Sequence, residues 1–516
     1  MPDGRNVLFI TVDQWRGDSL SCMGHPVLET PAIDALARRG VLFRNHWANA
    51  APCGPSRACL YTGMYLHNHR SVLNGTPLDA RHTNIALEVR SAGYDPVLFG
   101  YTDMSVDPRT VPADDPALRT YEGVLPGLRA VVHDPWEAGS VEWAKWLASK
   151  GVDVPANPHD LYDADTSYPG AGDHGSTWAP TRFTAEQTEA AFMTERLVEW
   201  LEQNAEQPFF AHIAYIKPHP PRRNPAGYHD LYSADDLPDF VAAPDRDTER
   251  LAHPMNNVFM SLPILGAPAD ERERRQMRAT YHGMQREVDD QLGNLFEYLE
   301  RTGLAASTLI VLTSDHGEMG GDHWLFEKLG YWDESYHVPL VIVDPLAAAD
   351  GSRGAEVSEF TESVDVAATI LEWLGLDVPL QVDGWPLTPF LHDGAAPEHW
   401  RTEAHFAWDF RHPLLRLAET YLNVPMEHCD LAVQRGAHLK YVHFSAEPDR
   451  LPPLLFDLDE DPHQLHDVAA DPTYAGAALE SAQRLLRWRM RNCDRTLSGQ
   501  FLSPARGLVS QRDTWR

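Results

Sequence analysis

The sequence predicts an α/β protein: a mostly parallel sheet flanked by helices, followed by a smaller C-terminal α+β subdomain. Three observations carry this expectation. Residues 6–13 (NVLFITVD) and 307–315 (STLIVLTSD) are short, nearly continuous apolar runs, which suit strands buried on both faces. Stretches of helical periodicity separate such runs, and that alternation marks a sheet covered on both sides. After Gly375 the pattern changes to short runs that read as antiparallel strands before one last helix. We therefore expect a main domain over 1–375 and a smaller unit over 376–516.

The elements follow in order. Residues 6–13 read as the first strand, 31–39 as a helix, 41–47 as extended and 55–65 as a helix. Proline at an early helical position fits because its missing N–H has no partner there anyway. Residues 82–91 read as a helix closing at Gly93, and 96–102 as a strand. An amphipathic stretch over 184–203 leads to a strand over 208–216. The longest helical pattern spans 272–301, and further strands are read at 307–315 and 338–344. A helix over 365–374 precedes Gly375. Strands at 438–444 and 453–458, a helix at 474–493 and a polar tail after Asp494 complete the chain. Residues 106–180 and 218–268 are rich in Pro, Asp, Gly and Trp and lack clean periodicity, so they read as long ordered insertions that wall a site.

Composition narrows the function. A formal net charge of -32 argues against nucleic acid and anionic membranes as partners, and it requires any anion site to supply its own local positive charge. Five cysteines are too few and too irregular for a disulfide framework. The opening residues 1–5 run straight into a strand, with no charged-then-apolar leader and no stretch long enough for a bilayer, so a cytoplasmic location is expected.

Chemistry is expected where strands end, because ligands of open α/β sheets bind beyond the carboxyl ends of the strands. Asp13 and Gln14 end the first strand, and Asp315, His316 and Gly317 end a distant one. Two carboxylates, an amide oxygen and an imidazole make an oxygen-rich site for one divalent ion. Taken singly, an Asp after a strand is more often a turn or cap residue. Cys53, in Cys53-Gly54-Pro55-Ser56-Arg57, sits at a helix N-terminus with Arg57 about one turn along, a place that favours an anion or a developing negative charge.

With these segments in view, the chain resembles the sulfatase and phosphonate monoester hydrolase group of the alkaline phosphatase superfamily. The likeness is spread over VDQWRGDSL, CGPSRACLYTG, GYTDMSVDPR, KPHPP, LTSDHGEMGGDH, FEKLGYWDESYHVPLVI and FDLDEDPHQLHDVA, in the expected order. It implies an alkaline-phosphatase-like fold and oxidation of Cys53 to formylglycine by a formylglycine-generating enzyme. A hydrated aldehyde offers two hydroxyls on one carbon. One attacks phosphorus or sulfur and expels the alcohol; loss of the proton from the other re-forms the aldehyde and ejects the bound group. The resemblance further implies Asp13, Gln14, Asp315, His316 and residue 53 as metal ligands. Manganese stands first among the ions, with calcium, magnesium or zinc as alternatives. Arg57 would hold the nucleophile, Lys328 the charge of the substrate and His219 the leaving oxygen.

Plain alternatives stand beside each. A lone lysine such as Lys328 is usually a solvated surface residue, and His219 could be a structural histidine in a rigid turn. Lys217, His67, His69, His323, His337 and Cys59 read as structural or packing residues. Sulfatases carry a Gly-Lys-x-His element where this chain has Gly100-Tyr101-Thr102-Asp103. Tyr101 and Thr102, expected here as substrate-binding residues, remove positive charge, which suits a monoanionic ester and resembles the phosphonate monoester hydrolase and phosphodiesterase branch. Asp103 departs from that branch, where a small hydroxyl residue is expected; an acid there repels substrate oxygens unless it points away or meets a cation. The expected function is a formylglycine hydrolase of phosphonate monoesters and phosphate diesters with promiscuous sulfatase activity. The alternative is an arylsulfatase or other sulfate ester hydrolase. A small anionic ester is the expected substrate, and the resemblance implies a homo-oligomer, a tetramer or a dimer. A serine- or threonine-dependent mutase is disfavoured by the cysteine, and an inactive binding protein requires that Cys53 stay unoxidised.

Overall fold

The computed structural model describes residues 4–510. Its central sheet contains β1 (Asn6–Val12), β2 (Val41–Phe43), β3 (Val97–Gly100), β4 (Arg129–His133), β5 (Phe210–Tyr215), β6 (Thr308–Ser314), β7 (Leu340–Val343) and β8 (Ala355–Val357). Across the sheet they lie in the order β4–β3–β5–β1–β6–β7–β2–β8, and only β7 runs against its neighbours. β1 pairs in parallel with β5 and β6 in a register that sets Val12 beside Tyr215 and Ser314. The residues that follow these strands therefore emerge side by side at one edge.

Both faces of the sheet are covered, which is why β1 reads as an unbroken apolar run. Leu8, Ile10 and Val12 pack with Ile33, Leu36, Leu197 and Leu292 from the helices α1 (Pro31–Arg39), α3 (Glu189–Asn204) and α4 (Glu271–Thr302). Val7 and Phe9 point the other way, against Ala58, Tyr61 and Ile370 from α2 (Cys53–Thr62) and α5 (Val364–Trp373). Each fully buried large aliphatic here contributes about 1.5–3 kcal/mol.

A second, antiparallel sheet contains β9 (Glu403–Asp409), β10 (Asp430–Gly436), β11 (Leu439–Phe444) and β12 (Leu454–Asp457) in sequential order. One of its faces shares an apolar cluster with Trp47, Phe259, Trp332 and Tyr336. The last helix, α6 (Ala475–Arg491), covers the other through Leu485, which packs on Tyr441 and Leu455.

Some expectations shift. Helix α2 begins at Cys53, two residues before the expected start, and Pro55 lies inside the first turn, where N–H groups still lack intrahelical partners. Gly63, at φ 67°, ends it. The 106–180 insertion contributes β4 to the sheet edge as well as a helix, Val141–Ser149. The expected polar tail contains a hairpin, Gln500–Ser503 with Gly507–Ser510, that exposes Phe501, Leu502 and Leu508, with Leu497 exposed just before it. Residues 1–3 of the opening stretch and 511–516 of that tail lie outside the described residues. Among the described residues, no helix is long and apolar enough to cross a membrane.

Candidate active site

Four neighbouring parallel strands, β3, β5, β1 and β6, deliver their following residues to one place. Asp13 and Gln14 follow β1, Asp315 and His316 follow β6, Tyr101 and Thr102 follow β3, and Lys217 to His219 come two residues after β5. Helix α2 brings Cys53 and Arg57 to the same edge. Gly100 permits this because its backbone, at φ 112°, passes against the carbonyl of Ala214 on β5, where a Cβ has no room. Gly317 is required for a similar reason: a side chain there would run into the Glu334 carbonyl.

Asp13, Cys53, Asp315 and His316 are all buried, and each offers one ligand atom within 4.8 Å of the others. The Oδ1 of Asp13 has no hydrogen-bond partner. His316 Nδ1 lies 3.1 Å from the Gly317 carbonyl, a contact that places its proton on Nδ1 and leaves Nε2 as the ligand atom, 3.1 Å from Cys53 Sγ. An orphaned carboxylate oxygen, a second carboxylate and an imidazole with a free nitrogen fit a divalent ion. Gln14 adjoins this group rather than completing it here. Its backbone N–H donates to Asp315 Oδ1 at 3.2 Å, and its amide oxygen accepts from Lys328 Nζ at 2.7 Å.

Arg57 is fully buried and binds the cluster together. Its Nη2 donates to Asp13 Oδ2 at 2.8 Å, its Nε to Asp315 Oδ2 at 2.9 Å and its Nη1 to the Tyr101 carbonyl at 3.0 Å. Tyr101 lies under the guanidinium, 4.7 Å from ring centre to Cζ, and its hydroxyl donates to Asp13 Oδ2 at 3.1 Å. Asp103 also meets this cation: its Oδ2 is 3.4 Å from Arg57 Nε, while its Oδ1 is buried without a partner. The acid that departs from the expected pattern is thus accommodated by the guanidinium. Thr102 turns elsewhere, its hydroxyl donating to the Gly123 carbonyl and accepting from Leu125 N–H, so it holds a loop beside the site.

Electrostatics follow from the crowding. Burial, then the facing Asp315, raises the Asp13 carboxyl above the usual range, with Arg57 opposing. Burial acts the same way on Asp315, but His316 and Arg57 outweigh it and hold that carboxyl low. Burial opposes the charge on Lys328, yet Cys53, Glu327 and Asp13 keep its ammonium protonated. His219 lies in the turn after β5, with Nδ1 2.8 Å from the Pro220 carbonyl; burial and then the charge of Lys328 lower its pKa to about 3. Its imidazole is neutral and its Nε2 is the atom left for other partners.

Several neighbours have no counterpart in the sequence reasoning. Glu318 and Glu327 both accept from the Gln14 amide and from Arg222, which pairs with them at 2.9 and 3.0 Å. Their positions within three residues of Asp315 and beside Lys328 were the available signal; Arg222 had none. His323, on Glu249, and His337, on the Arg44 carbonyl, lie away from the cluster in packing roles, and Cys59 is buried against His69.

The sulfatase family profile matches residues 5–376, and the profile of the C-terminal region of N-sulphoglucosamine sulphohydrolase matches residues 321–491. The multifunctional alkaline phosphatase superfamily protein PehA of Trinickia caryophylli is 42% identical over 98% of this chain and 99% of its own length. An arylsulfatase of Clostridium perfringens is 26% identical over 81% of this chain and 85% of its own. Among solved structures, the phosphonate monoester hydrolase of Agrobacterium radiobacter superposes with a TM-score of 0.92 at 41% identity, covering 99% of this chain and all of that one. The phosphonate monoester hydrolase of Silicibacter pomeroyi gives 0.91 at 38%, covering 98% and 99%.

Proposed function

The chain belongs to the sulfatase family and is a hydrolase of ester bonds, and from that premise we propose a metal-dependent enzyme acting on phosphonate monoesters and phosphate diesters, with weaker action on sulfate esters. The observation that carries this reading is the buried group of Asp13, Cys53, Asp315 and His316, bound together by an Arg57 whose charge is spent on carboxylates. Tyr101 and Thr102 bring no charge to the neighbouring strand end. Lys328, which also lies 3.4 Å from a Glu327 oxygen, then offers the substrate one cation, which suits an ester with a single negative charge.

Asp13, Asp315 and His316, with Gln14 by resemblance, would hold a divalent ion that supplies charge stabilisation and favours the ionised nucleophile. Residue 53 is an unmodified cysteine in this structure; as formylglycine it would supply the attacking hydroxyl. The chain's own residues set the geometry. Arg57 fixes both aspartates and so holds the ligand set in place. The Gly317 carbonyl keeps His316 in the tautomer that presents Nε2. Lys328 Nζ, held on the Gln14 amide oxygen, points a cation at the substrate oxygens. His219 must gain a proton at Nε2 to donate to a leaving oxygen, and a bound anion favours that protonation. We also assign Mn, ahead of Ca, Mg or Zn, maturation by a formylglycine-generating enzyme, a homo-oligomer and a cytoplasmic location to this proposal.

The test is kcat/KM of metal-supplemented protein for a nitrophenyl phosphonate monoester against nitrophenyl sulfate, with Cys53→Ala beside it. Faster phosphonate turnover that vanishes in the variant is expected, and a hydrazide probe should label residue 53. Faster sulfate turnover would make the chain a sulfate ester hydrolase instead.

A further inference from the structure

Lys217 is buried, carries no assigned role and lies two residues before His219. Its Nζ donates to the His219 carbonyl at 3.1 Å and to the Pro221 carbonyl at 2.8 Å. One side chain thus straps both ends of the His219-Pro220-Pro221 turn, and Pro220 and Pro221 offer no N–H that could close the turn otherwise. The ammonium also lies 4.4 Å from the Tyr162 ring centre, and Tyr162 in turn donates to Glu189 at 2.7 Å. Glu189 is the first residue of α3, so the strap ties the turn to the helical layer behind the sheet.

A buried lysine is costly to keep, because removing its charge from water is disfavoured and apolar packing usually serves stability better. Here burial lowers the Lys217 pKa to about 7, and Glu189 and then Glu287 offset part of that cost. Stability alone does not require such a group at this point. What the geometry supplies is a fixed backbone for one imidazole.

We propose that Lys217 is a positioning residue: by holding the carbonyls of His219 and Pro221 it aims the His219 imidazole at the leaving oxygen. The inference rests on the assignment of His219 given under Proposed function. Loss of the strap should leave substrate binding intact and weaken only the step in which the leaving oxygen gains its proton or partner. That step matters for poor leaving groups, such as alkoxides, and hardly at all for nitrophenolate, which departs without help.

The experiment is a leaving-group series of phosphonate monoesters, from nitrophenyl to phenyl to alkyl, run on the wild type, His219→Ala, Lys217→Met and Lys217→Gln. We expect Lys217→Met to lose about 10–100-fold in kcat for the alkyl ester, a part of the roughly 10²–10⁴-fold that a positioned proton donor contributes, with nitrophenyl turnover and KM little changed. Lys217→Gln, which keeps N–H donors, should recover part of the loss. Because Lys217→Met removes a positive charge that eases the burial of Glu189, the double variant Lys217→Met/Glu189→Gln serves where the single one folds poorly, and the same steepened dependence should persist in it. An equal loss across the series in both Lys217 variants would show a merely structural lysine and overturn the proposal. A flat series for His219→Ala would instead overturn the assignment of His219 itself.

Discussion

Two regions of this molecule bury charge at similar depth, and they treat it differently. Where the C-terminal antiparallel sheet begins, Arg401 is engaged by Asp365 and Glu362, and Asp365 also accepts the N–H groups of Glu362 and Trp385 at 2.8 Å. Nearby, Asp333 takes Lys440 Nζ at 2.7 Å and Arg435 Nε at 2.8 Å. The charges named there have partners. At the strand ends, by contrast, Asp13 and Asp103 each keep a buried oxygen that accepts no hydrogen bond, although Arg57 touches both residues and His316 Nε2 lies 3.6 Å from that oxygen of Asp13. Matched charge joins parts of the fold; unmatched buried charge marks a place where something else binds.

The sharpest way to break this comparison is to remove one acid from the unmatched region. Asp13→Asn should cost more activity than the roughly 10–100-fold that loss of a metal's outer partner costs, yet leave the fold intact. Unfolding of the metal-free variant should come at or above the wild-type temperature, because a buried carboxylate facing Asp315 is gone. A lower unfolding temperature would mean that Asp13 is as structural as Asp365.

The matched region should respond in the opposite sense. Arg401→Met strands Asp365 and Glu362, which should cost about 3–5 kcal/mol of stability while kcat per folded molecule stays unchanged. Urea titration alongside an active-site count would separate the two quantities. An intact urea midpoint would show that the junction does not depend on its ion pairs.

A smaller effect concerns buried groups that are matched only while neutral. His46, against Thr361, His212, between Tyr61 and the Phe9 carbonyl, and His282, on Gln285, are each lowered to about 3 by burial. A histidine depressed in this way stays neutral in the fold, whereas the unfolded chain takes up a proton below about 6.5. The stability is fully present above 6.5 and is lost as pH falls toward 3, at up to about 1.4 kcal/mol per pH unit for each group. The urea midpoint should therefore fall steadily between pH 7 and 5, and a flat profile over that range would contradict the burial of these rings.

Much of the fold was legible because its central strands are covered on both faces. β1 and β6 had to be apolar throughout, and the polar residues that stop them, Asp13 and Asp315, had to be loop residues at one edge. β4 was not legible for the converse reason: at the sheet edge, Arg129–His133 buries little beyond Val132. β9 and β10 were missed because their buried faces include His405, Asp409 and Gln434, which break the apolar run. The site itself was legible as a set of residue types at strand ends. Its wiring was not. That Asp103 reaches Arg57, that Thr102 turns to Gly123 and that Lys217 straps its own turn depend on backbone paths, such as φ 53° at Asp103, that no spacing reveals.

Helix α2 is buried along its whole length, from Cys53 through Thr62, and the helix that packs most against it, α5, lies some three hundred residues further along the chain. A protein that must grip Cys53 to Arg57 to oxidise the thiol finds no handle on the finished molecule. On the proposed reading, maturation therefore runs against a clock. If residue 53 is oxidised as proposed, the thiol is within reach of another protein only before Val364–Trp373 packs over the segment.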